Sequence, residues 1–203
     1  GSTRKTIAES SVDFWPGNTA LTQMNVGVVG DLGTGKTQFL KSMITQIRQA
    51  GREAQDTPIS FLIFDYKRDY KDQDFLNRVG GVILSPDEGI PLNVLALSGT
   101  YSKNKAVKKS RSFADLLAKI YGGIGPLQKD RLSTAIIELF EGSIGHTAPN
   151  LTQVRDHYLA LASGKVDAVV SILNGFVQPG VFIEDPSQVK EFGEIIADKV
   201  VVV

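Results

Sequence analysis

The sequence predicts an α/β protein, a parallel sheet interrupted by an inserted helical block, and three observations carry that reading. Short apolar runs at Asn25–Val29, Ile59–Phe64 and Val82–Leu84 alternate with helical stripes in the first half of the chain. Ile59–Phe64 is hydrophobic almost without interruption, as expected of a strand covered on both faces, and such strands belong to parallel sheets flanked by helices. Four more helical stripes then precede a final β-branched run, Val200–Val203, a further buried-strand signature.

The elements follow in order. Gly1-Ser2 reads as a cloning remnant, and residues 3–24 as a polar N-terminal extension with a turn at Trp15-Pro16-Gly17-Asn18. The Asn25–Val29 strand stops at Gly30, and a Gly-rich loop leads into a helix. Its apolar face is Phe39, Leu40, Met43, Ile44 and Ile47, and Gly51 is its expected end. Strands at Ile59–Phe64 and Val82–Leu84 complete this half of the core, residues 25–97. The segment 98–180 reads as the helical insertion. Phe113, Leu116, Leu117, Ile120 and Tyr121 share one helical face, as do Leu132, Ala135, Ile136, Leu139 and Phe140. Asn150 and Gln153 form a capping box before Val154, Tyr158 and Leu161. Val166, Val169, Val170 and Leu173 make the fourth stripe. Residues 181–203 return to the core sheet, with Asp185, Pro186 and Gln188 in the N-cap, N1 and N3 positions of one more helix.

Composition excludes several classes. Lys+Arg and Asp+Glu both number 22, so the net charge is zero, which argues against a chain devoted to wrapping nucleic acid or coating an anionic membrane. With no cysteine there is no disulfide, thiolate metal site or cysteine nucleophile. His146 and His157 are the two histidines and sit in unrelated contexts, which argues against a His-rich metal site; neither is a candidate for chemistry. No apolar stretch approaches the ~18 residues of a membrane span, and no signal peptide is visible. The expectation is a soluble, cytoplasmic domain without a membrane partner.

Chemistry is carried by Gly30-Asp31-Leu32-Gly33-Thr34-Gly35-Lys36-Thr37, which matches G-x-x-x-x-G-K-[ST]. Its glycines allow a tight turn in which successive N–H groups converge on a phosphate, and the following helix points its positive end at the same anion. Lys36 reaches the β- and γ-phosphates, and the Thr37 hydroxyl ligates Mg²⁺. These eight residues and Gln38 form the expected ATP-binding set, and the fold class sharpens to a P-loop NTPase with a RecA-like sheet. Asp65 follows Phe61–Phe64 at a strand end, where ligands of open α/β sheets bind. It is either a catalytic and Mg²⁺-supporting carboxylate or the acceptor of a local turn. Asp69 either adds a second carboxylate or pairs with a surface cation. Asp185, after Val181–Ile183, imitates the same pattern but already serves as a cap. Lys103, Lys105, Lys108, Lys109 and Arg111 form the most basic window, read either as a phosphate contact or as a solvated loop or helix start.

The motifs together resemble HerA/FtsK-type ATPases. Phe64-Asp65-Tyr66-Lys67-Arg68-Asp69-Tyr70 is similar to their DPxGEY-like segment, and Ile90-Pro91-Leu92-Asn93-Val94-Leu95 to their hxxNPL element, with Val94 in place of Pro. Within that group the likeness is to the helicase-like ATPases of phosphorothioation-dependent DNA restriction. The resemblance implies an ATP-binding part of a DNA translocase acting on double-stranded DNA, with other restriction subunits and a homo-oligomeric ring as partners. It also implies that the principal catalytic acids and the Arg finger follow Val203. An apolar strand left unpaired at a terminus exposes a template for other chains, so the expectation is a core truncated at its C-terminus. Such a piece binds ATP and hydrolyses it negligibly, while the parent protein is an ATPase. Two other classes stay open: a small-molecule or nucleotide kinase using the helical block as a lid, and a non-catalytic module whose assembly is gated by nucleotide. Residues 113–178 hold only Arg131 and Arg155, few for a kinase lid.

Overall fold

The computed structural model describes residues 26–53 and 59–203. The expected turn at Trp15–Asn18, the N-terminal extension and Asn25 lie outside the described residues. The chain divides into a unit ending at Leu40 and a unit from Lys41 to Val203.

In the first unit, Val26–Gly30 carries no strand, contrary to expectation. A strand exists through its ladder, and the Gly27 and Gly30 positions weaken this run, having no side chains to pack on a sheet face. The loop that follows opens α1 (Lys36–Glu53), which runs past Gly51 rather than ending there.

In the second unit, β1 (Phe61–Ile63), α2 (Gln73–Val79), β2 (Gly81–Ile83) and β3 (Val200–Val202) make a three-stranded parallel sheet of order β1-β3-β2. Phe61 and Gly81 both stand opposite Val200, and Ile63 and Ile83 opposite Val202. This corrects two expectations. The Val200–Val203 run is paired on both sides, so it offers no open edge, and β3 rather than β1 is the strand buried on both faces. Leu62 and Val82, flanking Val201, are 38% and 37% exposed while Val201 is wholly buried. Sequence hydrophobicity was similar in the two runs; their order in the sheet decided the burial. Ile44 of α1 and Phe75, Leu76 and Val79 of α2 pack with Val200 and Val202 on the other face.

Arg48 is the unexpected member of this unit. It is 2% exposed, on the same α1 face as Ile44. Its guanidinium donates to three backbone carbonyls, Val79 at 3.2 Å, Ile59 at 3.0 Å and Asp198 at 2.7 Å, tying α1 to the end of α2 and to the chain entering β1 and β3. Burial lowers its pKa, Arg52 adds to that, and Asp198 opposes it. The group stays charged, as arginine does in proteins.

The helical block consists of α3 (Lys103–Tyr121), α4 (Pro126–Gly142), a 3-10 turn at Ile144–His146, α5 (Leu151–Leu161) and α6 (Ala168–Val177). α4 packs between α3 and α5, and α5 against α6. The expected stripes supply the core in part: Leu117 from α3, Leu132, Ile136 and Phe140 from α4, Val154 and Tyr158 from α5, Val169, Val170 and Leu173 from α6. Leu161 of α5 and Leu116, Ile120 and Tyr121 of the α3 stripe are exposed, contrary to expectation; α3 packs chiefly against α4 and buries a narrower face. The Asn150–Gln153 capping box is formed in both directions. The fourth stripe starts later than Val166, which is exposed, because Asp167 is the N-cap of α6 and accepts from the Val169 and Val170 amides.

Asp167 also gathers a partly buried polar cluster. Tyr158 donates to it at 2.6 Å and Gln128 at 2.9 Å. Burial works to raise the Asp167 pKa, but the hydrogen bonds from Tyr158, Gln128 and the two amides outweigh it and hold the carboxyl below its ordinary value. Burial, then the bond and charge of Asp167, push Tyr158 up from 10.0 to about 12. A raised folded pKa stabilises below the unfolded value and is lost as pH climbs through the folded one. Urea midpoints should therefore fall between pH 10 and 12 more steeply in the unsubstituted protein than in Tyr158→Phe. Parallel curves would show that the phenol does not titrate differently on folding.

The return to the sheet is also later than expected. Phe182 makes one isolated parallel bridge to Ile90, and the sheet resumes only at β3. Asp185-Pro186 opens a turn, not a helix: the Lys190 amide, which would continue a helix, instead donates to the Pro91 carbonyl at 2.9 Å. The helix of this region is α7 (Phe192–Ile196), flanked by Glu191.

Candidate functional site

The Gly30–Thr37 loop turns through two residues with positive φ, Gly33 at 79° and Gly35 at 87°, a region that favours glycine because a Cβ strains it. A Cβ built on either would meet nothing within 4 Å, so the backbone dihedral and not crowding demands glycine there. The Thr34 hydroxyl donates to the Asp31 carbonyl at 2.8 Å and stiffens the turn. Lys36 Nζ donates to the Gly30 and Asp31 carbonyls, each at 2.6 Å, so the ammonium is folded over the loop that its own backbone forms. The Phe39 amide donates to the Gly35 carbonyl at 2.9 Å as the first closed turn of α1. The amides before it are those a helix start turns toward an anion, and the first turn of α1 contains no acidic residue to compete. Backbone curvature, a helix N-terminus and one cation thus meet in eight residues, an arrangement that fits the phosphate chain of a nucleotide. Thr37 and Gln38 lie in that first turn.

Asp65 stands just beyond β1 and is 8% exposed. Its amide donates to the Val203 carbonyl at 3.0 Å. Its carboxylate closes the following turn: Oδ1 accepts from the Asp69 amide at 3.0 Å and Oδ2 from the Tyr70 amide at 2.8 Å. The turn passes through Arg68 at φ 61°, and the Arg68 amide donates to the Asp65 carbonyl. Each carboxylate oxygen keeps acceptor capacity beyond these bonds, so the turn role and a metal-supporting role are compatible. Burial raises the Tyr70 pKa, and the nearby charges of Asp65 and Asp69 raise it further.

Lys41, which the sequence did not single out, holds this turn to α1. Its ammonium pairs with Asp72 and lies 5.7 Å from the Tyr70 ring centroid and 5.5 Å from that of Phe75. Asp72 is the N-cap of α2, accepting from the Phe75 amide at 2.8 Å, and the Lys41 bond, first among its causes, holds its carboxyl below the usual range. The one signal for Lys41 was its place one turn after Thr37.

The other residues named from the sequence make contacts of their own. Asp185 accepts from the Ser187 amide and hydroxyl and from the Gln188 side chain, which lower its pKa in a tight turn. Asn93 of the hxxNPL-like segment donates to the Ala148 and Pro149 carbonyls and accepts from the Leu95 amide, pinning that segment to the entry of α5. The basic window is the first half of α3. Lys103 pairs with Glu141, and Lys105 caps the Ser98 and Thr100 carbonyls. His146 stacks on Tyr101 with centroids 4.0 Å apart, and His157 pairs with Glu138 on the surface. Among the described residues no group of three or more His, Asp or Glu is placed to hold a metal, and no helix is long and apolar enough to cross a membrane.

Comparison with known proteins bears on the same segment. The sequence profile of the type IV secretion-system coupling protein DNA-binding domain matches residues 12–89, less than half of the chain but including the Gly30–Thr37 loop and Asp65. No curated protein matches the sequence. Among solved structures, VirB4 of Thermoanaerobacter pseudethanolicus is similar over 85% of this chain with a TM-score of 0.57 and 14% identity. The two share a fold, and this chain spans 47% of the VirB4 chain.

Proposed function

We propose that the chain is the ATP-binding portion of a DNA-translocating P-loop ATPase. The observation that carries this is the Gly30–Thr37 loop, with Gly33 and Gly35 at positive φ and Lys36 drawn over its carbonyls at the head of α1. The match of residues 12–89 to a coupling-protein DNA-binding domain and the VirB4-like fold support the translocase class over a kinase. In the proposal residues Gly30 to Gln38 would hold ATP, Lys36 would neutralise the β/γ-phosphates, Thr37 would ligate Mg²⁺, and Asp65 would act as a supporting carboxylate. Bound Mg²⁺ neutralises charge that develops on the phosphates.

The finer reading is that the parent acts in DNA restriction and is most like DptH, the helicase-like ATPase of phosphorothioation-dependent systems, working as a homo-oligomeric ring with other restriction subunits in the cytoplasm. The resemblance of Phe64–Tyr70 and Ile90–Leu95 to HerA/FtsK elements supports it. The HerA/FtsK resemblance implies principal catalytic acids and an Arg finger that are not among the residues named above, and this sequence spans about half the length of its structural relative. A missing Arg finger alone costs roughly 10³–10⁵ in rate. The 203-residue chain therefore binds ATP with negligible turnover, and the parent hydrolyses it with stimulation by duplex DNA.

The test is phosphate release by both, with and without DNA. Lys36-dependent turnover above about 1 s⁻¹ by the short chain would make it a self-contained NTPase or kinase. Binding of duplex DNA by the short chain should be weak and salt-dependent, as its zero net charge implies, and Lys108→Ala with Lys109→Ala should flatten the salt slope. Tight binding indifferent to salt would overturn the DNA reading of this helix.

A further inference from the structure

A cleft of about 270 Å³ opens between α3, the 92–98 segment and the chain entering α7. Two cations line it, Lys109 from α3 and Lys190 from the turn before α7, together with Asn93, Ser98 and Glu191. Among the described residues neither lysine enters an ion pair. Lys41, Lys103, Lys129, Arg155 and His157 supply the cations of those that form. Glu191 shares the cleft and adjoins Lys190 in sequence, yet it pairs with neither ammonium. Two ammoniums and one carboxylate leave the cleft with one net positive charge.

The walls are fixed independently of any occupant. Asn93 is anchored by three hydrogen bonds to Ala148, Pro149 and Leu95. The Lys190 amide is held by the Pro91 carbonyl at 2.9 Å. Lys109 also borders an adjoining apolar groove with Phe113 and Leu116, so its methylene stem has a packed wall that limits where its ammonium stands. Two like charges lining one cleft repel each other, and an anion bound between them relieves that repulsion.

We propose that this cleft is a phosphate-binding site, in which Lys109 and Lys190 grip one tetrahedral phosphate from two different elements, with the Ser98 hydroxyl as a further donor and Asn93 fixing the floor through its bonds to Ala148, Pro149 and Leu95. The volume suits a phosphate group with its ester substituent, and an ammonium binds phosphate as a point charge without demanding a bidentate geometry. The phosphate comes either from a nucleic-acid backbone or from a free phosphate or nucleotide. This site is separate in sequence from the Gly30–Thr37 loop and stands or falls independently of it.

The experiment uses the 203-residue chain carrying Lys36→Ala, so that the loop does not contribute, with folding verified by circular dichroism. Amide chemical shifts are followed during titration with inorganic phosphate, with a short DNA duplex, and with chloride at matched ionic strength. Saturable shifts are expected at Asn93, Ser98, Lys109 and Lys190–Phe192. Lys109→Ala or Lys190→Ala should each weaken binding about tenfold, as loss of one charge-assisted contact implies. Lys119→Ala, on the same helix but outside the cleft, should leave binding unchanged, and Glu191→Gln should tighten it by removing the opposing carboxylate. Saturation by phosphate assigns the site to a free phosphate, and saturation by duplex alone to a backbone phosphodiester. Shifts that chloride reproduces, or that survive both lysine substitutions, would overturn the proposal.

Discussion

Lys36→Ala should remove most of the affinity for Mg·ATP. In the unsubstituted protein, ATP at 100 times Kd adds about 2.7 kcal/mol of apparent stability, because only the folded state binds. For a chain of this size that is a rise in Tm of roughly 5–10 °C. A hundredfold loss of affinity in Lys36→Ala reduces the gain at the same ATP concentration to about 0.4 kcal/mol, a shift near the limit of detection. On the proposed reading the ammonium that donates to the Gly30 and Asp31 carbonyls would turn to the phosphates, so its loss would cost the charge and not merely a contact. Thermal melts of both proteins with and without Mg·ATP make the measurement. A Tm indifferent to millimolar Mg·ATP in the folded, unsubstituted protein would defeat the nucleotide-binding reading itself. An equal rise in both proteins would remove Lys36 from it.

Arg48→Ala should be the most damaging change away from the loop. It removes three hydrogen bonds from a buried guanidinium and strands the carbonyls of Val79, Ile59 and Asp198, which lie on three separate stretches of chain. Bonds to charged groups contribute about 1.5–3 kcal/mol each and are not additive, so a total loss of about 3–5 kcal/mol is expected. Arg48→Lys should recover little, since a compact ammonium cannot span three divergent acceptors as the planar fork does. Urea midpoints report the result, and an Arg48→Ala midpoint within experimental error of the parent would show that the triple contact is not retained in solution.

Much of the site was legible because its signals are local. The G-x-x-x-x-G-K-[ST] spacing places glycine at Gly33 and Gly35, where the backbone needs positive φ, and puts Lys36 at the start of α1. Both readings of Asp65 came from a strand end followed by an acid; the hydrogen bonds to Asp69 and Tyr70 show the turn role directly and leave the Mg²⁺ role to experiment. Lys41 was missed because its partner Asp72 lies 31 residues away and nothing in a helical period announces it.

By itself the sequence determined most of the packed positions of α4 to α6, the Asn150–Gln153 box and the glycine turn that opens α1. Each depends on residues within about four positions of one another, where backbone geometry alone brings groups together. The tertiary structure decided which apolar run became the central strand. β1, β2 and β3 each carry apolar side chains, yet only β3 is paired on both sides and buried at every residue. It also decided that Arg48, an ordinary helical arginine in the sequence, closes the junction of three chain segments, and that Lys190 leaves the expected helix for the Pro91 carbonyl. A backbone donor or a buried cation must find an acceptor wherever the fold supplies one, and that acceptor's identity is a long-range fact that no local pattern encodes.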